Sequence, residues 1–236
     1  MILRSVFFYI CLVISLIART PQLLVARSKV KSMEPQEFDH YVHRIVSGWA
    51  LGNAKRSGAR FHISGLDNIP KDEPVVFVSN HQGNFDIAVF LASMPIPHGY
   101  VAKIEILKVP LIRDWMKNMR CVFIDRKSIR QTAGALLEGI KTLKEGHSLV
   151  LFPEGTRSKS GQMGEFKPAS FKLATKAGVP IVPVSINGTY KILEANKGLI
   201  KPTDVYVKVH SAISTKDLED VSVLPGMVRE IVEKGL

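Results

Sequence analysis

In the stretch Ser-Asn-His-Gln-Gly-Asn-Phe-Asp, residues 79–86, an imidazole and a carboxylate stand five positions apart around a Gly-Asn pair. An imidazole can take up a proton near neutral pH. A carboxylate on its other ring nitrogen fixes the tautomer and stabilises the imidazolium that forms. On one continuous helix, a separation of five at ~3.6 residues per turn would rotate His81 and Asp86 well off a common face. If Gly83-Asn84 turns instead, with Asn84 as helix N-cap, His81 precedes the helix and Asp86 falls in its first turn. There the helix dipole favours a carboxylate, which can reach back to the imidazole. The same residues also suit an ordinary capping turn, and the pair alone leaves both readings open. The chain contains no G-x-S-x-G elbow, so no serine of that kind stands ready for His81 to activate. A substrate hydroxyl is what remains.

Other polar groups follow apolar runs in the same manner. "LVLFPEGTRS" (149–158) ends a strand-like run in Glu154, Gly155, Thr156, Arg157 and Ser158, with Pro153 and Gly155 enforcing a turn. An Arg beside backbone amides and hydroxyls is a phosphate-holding arrangement, because its fork makes paired charge-assisted bonds. Glu154 would repel a phosphate. It is expected to accept hydrogen bonds from a polyol or to hold an Arg, with a simple salt bridge to Arg157 as the bland alternative. "VFIDRKS" (122–128) places Asp125, Arg126 and Lys127 at another strand end, and Lys103 follows "HGYVA". Each of these is unremarkable alone. Basic residues at successive strand ends point to one anionic ligand.

The elements that must position these groups are short β-rich runs alternating with helical ones from residue 60 onward. Strands are expected near 60–64, 74–79, 98–102, 120–125, 148–152, 180–186 and 204–210. Helices are expected near 85–94, 104–118, 128–145, 165–177 and 224–235. Continuous apolar runs such as "LVLF" and "IVPVSI" suit strands buried on both faces. The expected fold class is therefore α/β, with a largely parallel central sheet flanked by helices. In such sheets ligands gather at the carboxyl ends of the strands, where all the groups above fall.

Ahead of this lies a different region. Residues 5–18, "SVFFYICLVISLIA", carry no charge. Fourteen helical residues span roughly 21 Å, short of the ~30 Å hydrocarbon core. "RTPQ" (19–22) then interrupts the apolar run before "LLVA". An uncleaved helix dipping into one leaflet is favoured over a full span or a signal peptide, with Arg19, Arg27, Lys29 and Lys31 meeting anionic headgroups. A second helix over about 34–57 carries an apolar stripe from Phe38 to Ala50. That stripe either packs on the domain or helps seat Trp49 at a headgroup layer. The expected division is 1–58 for membrane-associating helices and 59–236 for the α/β domain.

The net charge of +11 is concentrated here, with nine basic against three acidic side chains in residues 1–60. It suits anionic lipid, a phosphorylated ligand or nucleic acid. No basic recognition helix or aromatic-interleaved sheet motif supports nucleic acid, which is not expected as a partner. Two widely separated cysteines, Cys11 and Cys121, suit reduced thiols rather than a disulfide framework. The close pair His40 and His43 suits a helix surface rather than a metal site.

Taken jointly, "NHQGNFD", "CVFIDR", "FPEGTRS" and "VPIVPVSI" (179–186) stand in an order and spacing that resembles the 1-acylglycerol-3-phosphate acyltransferases within the wider glycerolipid acyltransferase family. The resemblance covers roughly residues 60–210, and the apolar N-terminal helices resemble the membrane-seating element of bacterial members. It implies that His81 is the general base on the acceptor hydroxyl and that Asp86 orients it. It also implies that Arg126, Glu154, Gly155 and Arg157 bind the glycerol phosphate. Lys103 is a further phosphate contact, Thr156 belongs to the same substrate-binding loop, and Pro183 lies in a block tied to acyl-donor binding or site shape. The family usually has Gly where this chain has Arg120. The implied reaction moves an acyl group from acyl-CoA or acyl carrier protein to the sn-2 hydroxyl of lysophosphatidic acid. No metal or cofactor is expected, and the implied location is the cytoplasmic face of a membrane with monotopic insertion. Acylation of glycerol-3-phosphate or another lysophospholipid is the alternative within the enzyme class. A non-catalytic protein binding anionic lipid is the alternative outside it.

Overall fold

The chain is described by a computed structural model at residues 1–216, 218 and 220–236. Among these residues, β1 (Arg60–Ser64), β2 (Val76–Ser79), β3 (His98–Lys103), β4 (Val122–Ile124), β5 (Ser148–Leu151), β6 (Ile181–Asn187) and β7 (Asp204–Val209) form one sheet. Its order is β1-β7-β6-β2-β5-β3-β4. The run from β6 to β4 is parallel throughout, β7 is antiparallel to β6, and β1 is parallel to β7. The largely parallel sheet expected from the sequence is thus present, with two reversed strands at one edge. β2 and β5 are buried along their whole length, which is why they read as unbroken apolar runs.

The helices are α1 (Ile2–Ile17), α2 (Thr20–Lys29), α3 (Pro35–Ser57), α4 (Phe85–Ser93), α5 (Ile112–Asn118), α6 (Ile129–Lys144), α7 (Pro168–Ala177) and α8 (Leu224–Glu233). They cover both faces of the sheet. Strand side chains alternate between the two, so Phe77 joins a core built with α1–α5, while Val76 and Val78 join one built with α6–α8. The stripe of α3 faces the first core: Phe38, Val42, Val46 and Ala50 are all buried there. Trp49 packs against the same core and donates its Nε1–H to Ser15 Oγ on α1 at 3.0 Å. Its polar edge is engaged by the protein. His43, expected on a helix surface, packs edge-to-face on buried His98 with ring centroids 5.6 Å apart.

Three local expectations give way. "RTPQ" breaks the helical chain only at a turn over Ala18 and Arg19, and Pro21 lies in the first turn of α2, where its missing N–H costs nothing. By length and composition, the helical stretch Ile2–Lys29 is long and apolar enough to cross a membrane. The helix expected over 104–118 divides into a 3-10 turn at Ile104–Lys108 and α5, with Leu111 at φ 60° between them. Pro110 cannot donate to a continuing helix and restricts Val109. The strand expected from 120 starts only at Val122. Arg120 sits at φ 54°, a conformation Gly adopts without penalty and a side chain does not. Its guanidinium is tethered by Nε to Asp39 Oδ1 at 2.9 Å, and Asp39 also pairs with His147.

Candidate active site

The sheet order places β2 between β5 and β6. The segment leaving β2 is therefore flanked by the loops leaving both neighbours, although these lie about 70 and 105 residues further along the chain. Asn80 continues the ladder with its side chain. Its Nδ2 donates to Ile186 O at 2.8 Å, and its Oδ1 accepts from Ile186 N at 2.9 Å. On the other side, Ser158 N donates to His81 O at 2.9 Å and Lys159 N to Gln82 O at 3.1 Å. Three loops are thus bonded into one surface.

On this surface His81 Nδ1 lies 2.6 Å from Asp86 Oδ2. Asp86 is fully buried, and the same oxygen accepts from Gln82 N at 2.7 Å and Gly83 N at 2.9 Å. An acceptor-only carboxylate in this position requires Nδ1 to carry the proton, leaving Nε2 with its lone pair. Among the described residues Nε2 has no hydrogen-bond partner, and the His81 side chain is 17% exposed. The ring lies flat on Phe152, with centroids 4.1 Å apart and an interplanar angle of 18°. The imidazole is therefore fixed by a bond at one edge and a ring on one face, with a basic nitrogen free at the other edge.

Asn84 occupies the N-cap of α4, the position expected, but its side chain makes no capping bond. Asp86, in the first turn of α4, reaches back to the amides of Gln82 and Gly83, which lie ahead of the helix. Asn84 Oδ1 accepts instead from Arg157 Nη1 at 2.5 Å, and Asn84 N donates to Glu194 Oε1 at 2.8 Å. Arg157 also lies 3.5 Å from that carboxylate oxygen.

Glu154 makes no ion pair with Arg157 among the described residues. It is buried, with Oε1 accepting from His81 N at 2.6 Å and Oε2 from Gly164 N at 2.9 Å. Burial raises its carboxyl above the usual range, while the two backbone donors and His81 oppose that shift. It holds the base's own backbone to the loop leaving β5. Neither of its oxygens is paired with an Arg among the described residues.

Arg126, exposed beyond β4, donates through Nη1 to Gly155 O. Gly155 has φ 73°, and a Cβ there would lie 2.7 Å from that Nη1 and 3.2 Å from Lys167 Nζ. Glycine is what lets the two cations approach the loop backbone. Thr156 is exposed beside them, and Lys103 is exposed at the carboxyl end of β3, adjacent in the sheet to β4. Pro183 is buried within β6 opposite Val78, back from the strand ends where the polar groups collect.

The structure thus brings His81, Asp86, Glu154 and Arg157 into one bonded cluster and places Arg126 and Gly155 on its border. Gln82, Phe152, Lys167, Thr189 and Glu194 belong to the same surface and escape the sequence reading. The polar "NGT" turn that closes the apolar run of β6 is the signal that could have pointed to Thr189.

A sequence profile described as acyltransferase matches residues 60–187, which spans β1 to the end of β6. The 1-acyl-sn-glycerol-3-phosphate acyltransferase of Borreliella burgdorferi is 32% identical over 182 residues, covering 76% of this chain and 73% of the relative. The chloroplastic enzyme of that name from Arabidopsis thaliana is 33% identical over 215 residues, covering 89% of this chain and 59% of the relative. In three dimensions the chain is similar to PlsC, the 1-acyl-sn-glycerophosphate (LPA) acyltransferase from Thermotoga maritima. The TM-score is 0.87 at 28% identity, over 99% of this chain and 93% of that one. A profile spanning most of the sheet, relatives matched along most of this chain and a shared three-dimensional structure together show that the chain belongs to the acyltransferase family, among the 1-acyl-sn-glycerol-3-phosphate acyltransferases.

Proposed function

We propose that the chain transfers a fatty acyl group from an acyl-CoA or acyl carrier protein thioester to the sn-2 hydroxyl of lysophosphatidic acid, giving phosphatidic acid. The observation that carries this reading is the His81 imidazole, with Nδ1–H held by buried Asp86 and Nε2 open beside a basic rim. His81 Nε2 takes the hydroxyl proton as the acceptor oxygen attacks the thioester carbon. The carbonyl electrons move onto oxygen, giving a tetrahedral oxyanion, and Asp86 stabilises the imidazolium. Collapse re-forms the carbonyl and expels the thiolate, which takes the proton from His81. Base assistance of this kind is worth about 10²–10⁴-fold.

Arg157 and Arg126 are read as holding the acceptor phosphate, with Lys103 and Thr156 as further contacts. Arg157 is already aimed by Asn84 and Glu194, which limits the freedom it loses on binding. Glu154 and Gly155 serve by shaping the loop. Pro183 acts on the shape of β6, since Pro in an inner strand removes a ladder bond.

The N-terminal stretch is read as monotopic, entering one leaflet from the cytoplasmic face. Polar side chains of α1 are committed to the protein: Ser5 Oγ accepts from Ile200 N at 2.8 Å, and Tyr9 donates to Gly198 O at 2.9 Å. Val6, Phe7, Ile10, Val13, Ile14 and Ile17 form its exposed face. Phe8 on the inner face touches Phe85, the neighbour of Asp86, with ring centroids 5.8 Å apart. Seating α1 in lipid would therefore bring the site to headgroup level.

The test offers lysophosphatidic acid, glycerol-3-phosphate and lysophosphatidylcholine in parallel, each with acyl-CoA and with acyl carrier protein thioester, reading released thiol. Fastest turnover on lysophosphatidic acid is expected. Preference for another acceptor would overturn the substrate assignment, and no thiol release with any pair would overturn the reaction.

A further inference from the structure

Among the described residues, Asp86 Oδ2 carries three hydrogen bonds, while Oδ1 has a single partner, the hydroxyl of Thr189. Both residues are fully buried, so water cannot substitute for that donor. The placement of Thr189 is built in. Gly188 turns the chain at φ 105°, where a Cβ would lie 2.6 Å from Asp204 O. Its N–H donates to Gln82 Oε1 at 3.0 Å. The Thr189 hydroxyl has one proton and two acceptors in reach, Asp86 Oδ1 and, at 3.4 Å, Gln82 Oε1. The contact to the charged carboxylate is much the shorter of the two, so the proton belongs to Asp86.

We propose that Thr189 is a positioning residue for the His81–Asp86 pair, holding the second carboxylate oxygen so that the first faces the imidazole. The proposal rests on the reading of His81 as the base. Removing the hydroxyl leaves a buried oxygen unpaired and frees the carboxylate to turn away from the imidazole.

Thr189→Val keeps size and branching and loses the hydroxyl, whereas Thr189→Ser keeps the hydroxyl and loses the methyl. The full chain in detergent–lipid micelles is assayed with acyl-CoA and lysophosphatidic acid, with H81A in parallel. T189V is expected to lower kcat by about 5- to 100-fold. T189S is expected within about threefold of the parent. Parental activity in T189V would overturn the proposal. So would equal losses in both variants, which is the signature of packing. If T189V does not melt cooperatively, Thr189→Ala takes its place with the same readings. Should H81A retain activity, the base assignment falls and this inference with it. If H81A is inactive while T189V is normal, only the inference falls.

Discussion

Asp86→Asn tests the charge of the proposed pair while sparing its shape. The amide oxygen can occupy the place of Oδ2 and accept from His81 Nδ1–H, Gln82 N and Gly83 N, which lie at 2.6, 2.7 and 2.9 Å. The amide nitrogen then faces Thr189 Oγ1, which can accept from it and turn its own proton to Gln82 Oε1 at 3.4 Å. Each of these buried groups keeps at least one partner, so the fold should survive with a modest fall in melting temperature. The imidazolium loses its counter-charge. Two unit charges about 4 Å apart at an effective dielectric near 20 interact by roughly 4 kcal/mol. At 1.36 kcal/mol per tenfold this corresponds to a loss of about 10³-fold in kcat. The assay is thiol release at saturating lysophosphatidic acid, with the melt recorded on the same preparation. Activity within about threefold of the parent would refute the role assigned to the carboxylate. A large drop in melting temperature would refute the account of how the amide is accommodated.

Arg157→Ala should raise KM for lysophosphatidic acid by about 10- to 100-fold, the worth of a charged hydrogen bond. A change in the acyl-CoA KM alone would place the phosphate elsewhere. Deleting α1 is a poor test of anchoring, since Phe8 is buried and Ser5 is bonded to Ile200 N. Val6→Asp, Phe7→Asp and Val13→Asp together, all on the exposed face, should release the protein from anionic liposomes with the melt unchanged, and retained binding would count against insertion. Stability should also fall on acidification through buried His98, whose imidazole burial lowers to about 4. Below its ordinary pKa of about 6.5 the unfolded chain takes a proton that the folded chain refuses. Stability is therefore lost as pH falls from 6.5 towards 4, by roughly 3 kcal/mol. His98→Gln should flatten that part of a melting-temperature profile, and an unchanged slope would exclude His98 as its source.

Much of the candidate site is legible in the residues alone because its parts are local. The spacing of His81 and Asp86, the turn between them and the abrupt ends of apolar runs each depend on a few neighbouring residues. Those features place the polar groups at strand ends and imply the α/β architecture. The roles of individual side chains are less legible. Asn84, chosen as a cap from its type, is drawn instead to Arg157, which approaches from a loop more than seventy residues away. Glu154, read as facing a ligand or an Arg, is consumed by the amides of His81 and Gly164. Trp49 has the composition of a membrane-belt residue, yet its indole N–H finds Ser15 on α1.

The chain by itself determines which segments become strands and helices and which polar groups punctuate them, since propensity, periodicity and turn chemistry act over a few residues. Only the tertiary structure decides that β2 lies between β5 and β6. That order depends on which apolar faces pack together across the whole sheet, a nonlocal choice that no short stretch encodes. It brings Glu154 from one neighbour and Thr189 from the other against the same pair, the first on the backbone of His81 and the second on the far oxygen of Asp86.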